Sequence, residues 1–258
     1  MSLTDLLEIE LFDRSKRTPA LTPAGQLIVA KARTLVDDYD NLVTSALGDG
    51  GLQGTISLGA LRTTLTGLMP KAMAALKVKF PELGLHIRPG LTDALITEIE
   101  RGTLDAAVVI RPNFLPPSLM FRDLACESME LIASDDDAET DPLVLLKSRP
   151  FIRYDRSAVT GTLIDNWLVS KRINVFEAME LHSPESIVSM VSAGLGVSIV
   201  PDLAVKPIDS VPVKRIGLGP DAPTRSLGLA YKQNQVKKRA LDELFDVLMK
   251  VIGEGATK

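Results

Sequence analysis

The chain has one cysteine, Cys126, and two histidines, His86 and His182, in 258 residues. A lone cysteine excludes an intrachain disulfide framework and fits a reducing, cytoplasmic setting. Three such residues, far apart, offer none of the short spacings that bind zinc. Neither charge sign dominates: 29 Lys and Arg against 33 Asp and Glu leave a net charge of −4. Bulk charge therefore excludes a protein that coats nucleic acid. No stretch approaches the roughly 18 uninterrupted apolar residues of a membrane span. The opening MSLTDLLEIE has neither the basic nor the apolar part of a secretion signal, so no membrane partner is expected. Internal repeats and low-complexity tracts are missing as well. So are the common catalytic signatures: there is no Gly-x-Ser-x-Gly and no phosphate-binding glycine–lysine loop. Gly194-Leu-Gly196 lacks the third glycine and the strand–helix setting of a dinucleotide fingerprint. The expectation is a protein that is not an enzyme and needs no cofactor and no metal.

What is present is an ordinary globular composition, 45% apolar and 24% charged, in a chain long enough for more than one domain. Residues 3–12 read as a short amphipathic helix or its tail. Arg14, Lys16 and Arg17 follow in a Pro/Ser/Thr-containing loop, and taken alone they read as a solvated surface. Thr22-Pro23 opens a helix, with a hydroxyl cap and proline at the first helical position. That helix is expected to run to Leu47 and stop before Gly48. Ile28, Ala32, Leu35, Tyr39, Leu42 and Ala46 are spaced 4, 3, 4, 3, 4, the heptad of a two-helix seam. At ~1.5 Å per residue such a helix is on the order of 37 Å long, enough for a dimer contact. The glycines at 48, 50, 51 and 54 then read as a linker.

From Gly54 the pattern is α/β. Thr55–Leu58 alternates as a half-buried strand does, and Gly59 allows a sharp turn. Thr63, Thr64 and Thr66 then stand at the start of a helix expected over Leu65–Phe80. Such hydroxyls cap the helix, seat an anion such as a carboxylate, or do both. A strand at Leu85–Pro89, a helix at Ala94–Arg101 and the apolar run Asp105–Ile110 complete a βαβαβ unit. Met129–Ala133 is a further strand, and Asp135–Asp141 an acidic surface loop. A second unit begins at Phe151, with helices over Thr162–Lys171 and Ser186–Ala193, a segment Val175–Leu181 that reads as a strand or a helix, a Gly-x-Gly turn at Gly194 into a buried strand ending at Pro201, and a cap at Ser183-Pro184. The strand Ser226–Tyr231 and the helix Lys237–Ile252 close the chain. Two α/β units imply a cleft between lobes. Arg62, Thr63 and Thr64 from the first lobe, and Arg153 and Ser183 from the second, are its candidate polar groups. Arginine can hold a carboxylate by two parallel hydrogen bonds; the alternative for Arg62 and Arg153 is an ordinary surface role.

Several motifs in order resemble the LysR-type transcriptional regulators over nearly the whole length. Leu7-Glu-Ile-Glu-Leu-Phe-Asp-Arg14 is similar to the family's Leu-Gly-x-x-Leu-Phe-x-Arg, which ends the recognition-helix region and enters the wing. Leu21-Thr-Pro-Ala-Gly25 resembles the start of its linker helix, and Gly54-Thr-Ile-Ser-Leu-Gly59 the first strand of its effector domain. Phe80-Pro81, Gly102-x-Leu-Asp-Ala-Ala-Val108 and Gly194-Leu-Gly-Val-Ser-Ile-Val-Pro201 recur at the family's spacing. The resemblance implies a two-lobed, periplasmic-binding-protein-like (type 2) α/β effector domain, preceded by a long linker helix and a remnant of a winged helix-turn-helix. The implied boundaries are wing remnant 1–22, linker and hinge 23–53, effector subdomain I 54–130 with 228–258, and subdomain II 131–227.

The implied partners are promoter DNA for the full-length protein, a small-molecule effector between the lobes, and a second or further copies in a dimer or tetramer. Arg14, Lys16 and Arg17 match the wing, where basic side chains meet phosphates or the minor groove. Ile28, Leu35, Tyr39 and Leu42 match the dimer seam, and Thr63, Thr64, Arg153 and Ser183 match positions that usually line the effector cleft. The match enters the family at the end of its helix-turn-helix, so this chain is expected to lack the base-reading helix. Glu8 stands where the family usually has glycine, and Leu61 where it often has serine or threonine. A solute-binding protein of the same two-lobed form is the competing reading; an enzyme in the cleft has no paired acid, base or nucleophile to support it.

Overall fold

The computed structural model describes residues 3–13, 19–40, 52, 54–207 and 211–255. Helix α1 (Leu3–Leu7) ends at Glu8, whose φ of +52° lies in the left-handed region that favours glycine. The backbone there keeps the shape that the family's glycine would give. Strands β1 (Phe12–Asp13) and β2 (Ala20–Leu21) pair antiparallel as the stem of a hairpin. Its basic residues Arg14, Lys16 and Arg17 lie outside the described residues. Helix α2 is described over Pro23–Asp40. Thr22 fixes its start, accepting from the Gly25 N–H at 2.9 Å and donating to the Glu10 carbonyl at 2.7 Å. Of the expected seam, Ile28 is half-buried, while Leu35 and Tyr39 are 69% and 76% exposed. Leu42, Ala46 and the glycines at 48, 50 and 51 lie outside the described residues.

From Gly54 on the chain is a mixed α/β structure whose main sheet runs β10 (Lys214–Gly217), β6 (Leu119–Ala133), β11 (Thr224–Lys232), β5 (Ala106–Ile110), β3 (Gly54–Ala60), β4 (Leu83–Pro89), with β9 (Ser198–Pro201) also paired to β6. In the first lobe, β3 (Gly54–Ala60) lies parallel to β4 (Leu83–Pro89) and β5 (Ala106–Ile110). All five residues of β5 are buried, as a central parallel strand requires. Helices α3 (Leu68–Lys79), α4 (Thr92–Arg101) and α8 (Lys238–Gly255) cover the faces of this sheet. Ile56, Leu58, Leu76, Leu83, Leu244 and Leu248 centre the core between the sheet and α3 with α8. Each such side chain contributes about 1.5–3 kcal/mol on burial.

The second lobe is built from α5 (Pro142–Ser148), β7 (Pro150–Tyr154), α6 (Val159–Ser170), β8 (Phe176–Leu181), α7 (Pro184–Ser192), β9 (Ser198–Pro201) and β10 (Lys214–Gly217). β7 pairs parallel with β8, and a parallel bridge from Phe151 to Val197 joins it toward β9. Two strands pass between the lobes: β6 (Leu119–Ala133) and β11 (Thr224–Lys232), antiparallel along the whole of β11 with a register shift between Leu227 and Gly228. Leu124 on β6 belongs to the first core and Met129 to the second, so the change of lobe falls within this one strand.

Several elements differ from the sequence expectation, β6 among them, which begins at Leu119 and not Met129. Arg62–Thr64 form a 3₁₀ turn, so α3 begins at Leu68, not Leu65. Gly67 lets the chain pass beneath the crossover segment, residues 202–207 after β9, because a Cβ there would lie 2.6 Å from the Val205 carbonyl oxygen. The acidic loop ends in helix α5, where the Asp141 carboxylate accepts from Leu143 and Val144 N–H at 2.8 and 3.2 Å. β10 is an edge strand of four residues with half-exposed alternation, too short to signal itself.

Candidate functional site

One cleft lies beyond the carboxyl ends of the parallel strands β3, β4, β7 and β8, where open α/β sheets collect their ligands. Its volume is about 440 Å³ with the solvent at its open mouth included. The first-lobe wall is Leu61, Arg62 and Thr63 after β3, with Gly90, Leu91 and Thr92 at the start of α4. The second-lobe wall is Tyr154 at the end of β7, Asp155 just after it, Thr160 at the start of α6, and His182 after β8. Ile110 and Arg225 also line it. Gly161 allows the second wall to close up, since a Cβ there would fall 2.0 Å from the Asp155 carbonyl oxygen.

Beneath the cleft lies a buried ion pair. The Arg225 and Glu127 side chains are 1% and 3% exposed, with Nη2 and Oε2 at 2.7 Å and Nε on the same oxygen at 2.8 Å. Arg225 Nη1 donates to Thr160 Oγ1 at 2.8 Å, and Nη2 reaches Thr63 Oγ1 at 3.5 Å. The other Glu127 oxygen accepts from the Ala204 N–H at 2.8 Å. One guanidinium thus reaches a hydroxyl from each lobe, that of Thr63 in the 3₁₀ turn and that of Thr160 at the start of α6, while its counter-ion holds the crossover segment. Burying two charges is costly unless every polar atom is satisfied. Among the described residues no buried side-chain nitrogen or oxygen lacks a partner.

Asp155 is engaged on both oxygens. Oδ1 accepts from the Ser157 N–H at 2.8 Å and the Ser157 hydroxyl at 2.6 Å, and Oδ2 faces His182 Nδ1 at 2.9 Å. Burial pushes this carboxyl up, but the hydrogen bonds from Ser157 and His182 outweigh it and hold it below the usual value. Its pairing therefore supports the fold above the ordinary carboxylate range and is lost as pH falls through the lowered value. Burial likewise pushes the Tyr154 phenol up. Next door, Arg156 pairs with Glu177 at 2.6 Å and with Glu180, which pins the Asp155 loop to β8.

Of the residues expected from sequence, Arg62 and Thr63 line the cleft. Thr64 sits in the same turn, buried, with its hydroxyl donating to the Leu61 carbonyl at 2.7 Å, and does not line it. Arg153 also lies off the cleft wall, paired with Asp165 and, at 2.7 Å, with Glu177. Ser183 caps α7, accepting from the Ser186 N–H at 3.3 Å and donating to Glu185 at 2.6 Å. It is the neighbour of a lining residue, His182, and not one itself. Sequence reasoning missed Asp155, Thr160, His182 and Arg225. An arginine immediately before the largely apolar strand Ser226–Tyr231 was the available signal for Arg225. Leu61 is buried and forms part of both the core and the wall.

A second, more apolar cavity of about 780 Å³ shares Thr63 with the cleft and is walled by Thr66, Val188, Val200, Leu203 and Val211. Cys126 is exposed on β6 and lines neither cavity. No helix among the described residues is long and apolar enough to cross a membrane, and no group of His, Cys, Asp or Glu there could hold a metal ion.

Residues 49–252 match the LysR substrate binding domain. The chain is 26% identical over 263 residues to the HTH-type transcriptional regulator EstR of Acinetobacter baylyi, covering 97% of this chain and 85% of that protein. It is 28% identical over 255 residues to the uncharacterized HTH-type transcriptional regulator YfeR of Shigella flexneri, covering 93% and 79%. A full-length OxyR variant from Pseudomonas aeruginosa superposes with a TM-score of 0.72 at 25% identity, over 95% of this chain and 82% of that one. A hydrogen-peroxide-bound OxyR mutant from Corynebacterium glutamicum also gives 0.72, at 21% identity over 99% and 82%, a likeness of fold alone.

Proposed function

The chain belongs to the LysR family of HTH-type transcriptional regulators, and from that premise we propose that it senses a small organic acid in the cleft between its lobes and passes that occupancy to promoter DNA as a dimer or tetramer in the cytoplasm. The observation that carries the proposal is the cleft itself. Each lobe offers a helix start to it, and Arg62 stands on its wall with no ion-pair partner among the described residues. An unpaired guanidinium beside the Thr63 hydroxyl favours a carboxylate. Arg62 and Thr63 are the effector contacts we assign from the first lobe. We also keep Arg14, Lys16 and Arg17 as phosphate contacts of the wing, and Ile28, Leu35, Tyr39 and Leu42 as the dimer seam.

Thiol-based peroxide chemistry is not part of this reading, because no cysteine faces either cavity. A free-standing solute-binding protein is not favoured either, since the curated relatives are HTH-type regulators. The buried Arg225–Glu127 pair supplies the link. Closing the lobes on a ligand moves Thr63 and Thr160 relative to one guanidinium, and Glu127 carries the change to the segment at Ala204.

A mobility shift of the full-length protein on its own promoter fragment tests the function. The expected result is binding that weakens as salt rises and changes in affinity or migration when the bound acid is added. No shift at low salt would argue for the solute-binding reading.

A further inference from the structure

The cleft takes up one end of the first-lobe sheet. At the other end β3, β4 and β5 begin and β11 finishes. Helix α4 ends there at Arg101, β11 ends at Lys232, and α8 starts at Lys238 and Arg239. Lys232 lies against the end of α4, its Nζ 3.6 Å from the place a Cβ on Gly102 would take. Lys237 ties the start of α8 to the sheet, donating to the Thr55 carbonyl at 2.8 Å and pairing with Asp105 at 3.0 Å. Arg101, Lys238 and Arg239 are exposed and Lys232 is half-buried, and none of the four has an ion-pair partner among the described residues. The neighbouring acids are mostly taken: Glu98 is held by Arg88, Asp242 by Arg122 and Glu243 by Lys79. Among the described residues of this end, Glu82 and Glu100 keep unpaired carboxylates. The positive charge also runs against local electrostatics. A helix N-terminus repels cations, yet the first turn of α8 carries Lys238 and Arg239 and no acid. Both charges cost stability where they stand, in a chain whose net charge is −4.

We propose that this basic end of the first lobe is a DNA contact of its own: Arg101, Lys232, Lys238 and Arg239 meet backbone phosphates beside the site that the wing holds. This adds to the DNA-binding reading above and rests on it. Position and charge both point to that partner. The chain arriving from α2 enters the first lobe at this same end, through the buried Leu52 and Gly54 at the start of β3. A duplex carries one negative charge per about 1.7 Å of its axis, which suits cations spread over three elements. Contacts of this kind hold phosphates and read no bases. They therefore strengthen binding to any sequence and steepen its dependence on salt. The effector cleft, at the opposite end of the same strands, is left free.

The test is fluorescence anisotropy of the full-length protein over a salt series, on its promoter fragment and on an unrelated duplex of the same length. Lys238→Gln with Arg239→Gln removes two exposed cations from the start of α8. Its melting temperature should equal or exceed that of the wild type, because those charges oppose the helix dipole. The expected result is a plot of log affinity against log salt that is shallower by about 1.8 for each protomer on the DNA, alike on both duplexes. Arg101→Gln with Lys232→Gln, on two other elements, should flatten it to the same degree. Unchanged slopes in both double variants overturn the contact and leave the regulator reading standing. A change in the sedimentation of the free variants, with their DNA slopes unchanged, assigns the patch to a second copy of the chain and overturns the DNA contact as well. Failure of the wild type to bind either duplex at low salt overturns the contact together with the DNA-binding reading.

Discussion

At the scale of single residues, the cleft depends on one buried charge being matched. Arg225 has no access to water, so its guanidinium relies on Glu127 for charge and on Thr160 for its remaining strong hydrogen bond. Glu127→Ala leaves a buried cation alone and is expected to cost about 3–5 kcal/mol. Exchanging both partners for methionine should cost much less, because it removes the unpaired charge and keeps the volume. Urea melts of the two variants decide it; equal losses would mean that the pair is not the reason. The same residues mark the limit of what the sequence reveals. Arg62 and Thr63 could be read in advance, because a helix start after a parallel strand is a local pattern. The partners of Arg225 could not: Glu127 is 98 positions away and Thr160 is 65. Arg153 looks equally suited to a ligand in the sequence, yet Asp165 and Glu177, 12 and 24 positions on, hold it outside the cleft.

At the scale of elements, helix α2 is the one whose pattern its own fold does not use. Its apolar positions Leu35 and Tyr39 stand in water in the single chain, along with Leu27 and Val36. A heptad face left open is expected to pair with a second copy. Leu35→Asp, which puts a charge into that seam, should shift the sedimentation of the protein from dimer toward monomer, with the melting of the effector lobes unchanged. A variant that sediments like the wild type contradicts the seam. Elements with a long period or clear punctuation were legible: α2 from Thr22-Pro23, β5 from its unbroken apolar run, α7 from Ser183-Pro184. Those defined by their neighbours were not. The 3₁₀ turn at Arg62–Thr64 shortens α3 because the crossover at Val205 packs against Gly67, which no local pattern announces. β6 runs ten residues further upstream than its apolar end suggests, since its first half is a pairing strand for β11 with a partly exposed face.

At the scale of the whole molecule, two α/β lobes share β6 and β11, and the groups that touch both lobes sit on those strands. That arrangement lets a ligand of a few atoms favour one relative position of the lobes over another, by no more than its difference in affinity for the two. Ligand binding in the cleft should reduce opening of both walls together. Hydrogen exchange on the full chain, with and without an organic acid that raises its melting temperature, tests this most directly. The expected result is slower exchange at residues 61–64 and 90–92 of the first lobe and at residues 154–160 of the second, in the same titration. Protection confined to one lobe, or to surfaces away from these segments, would contradict a sensor that works by holding its two lobes around an acid.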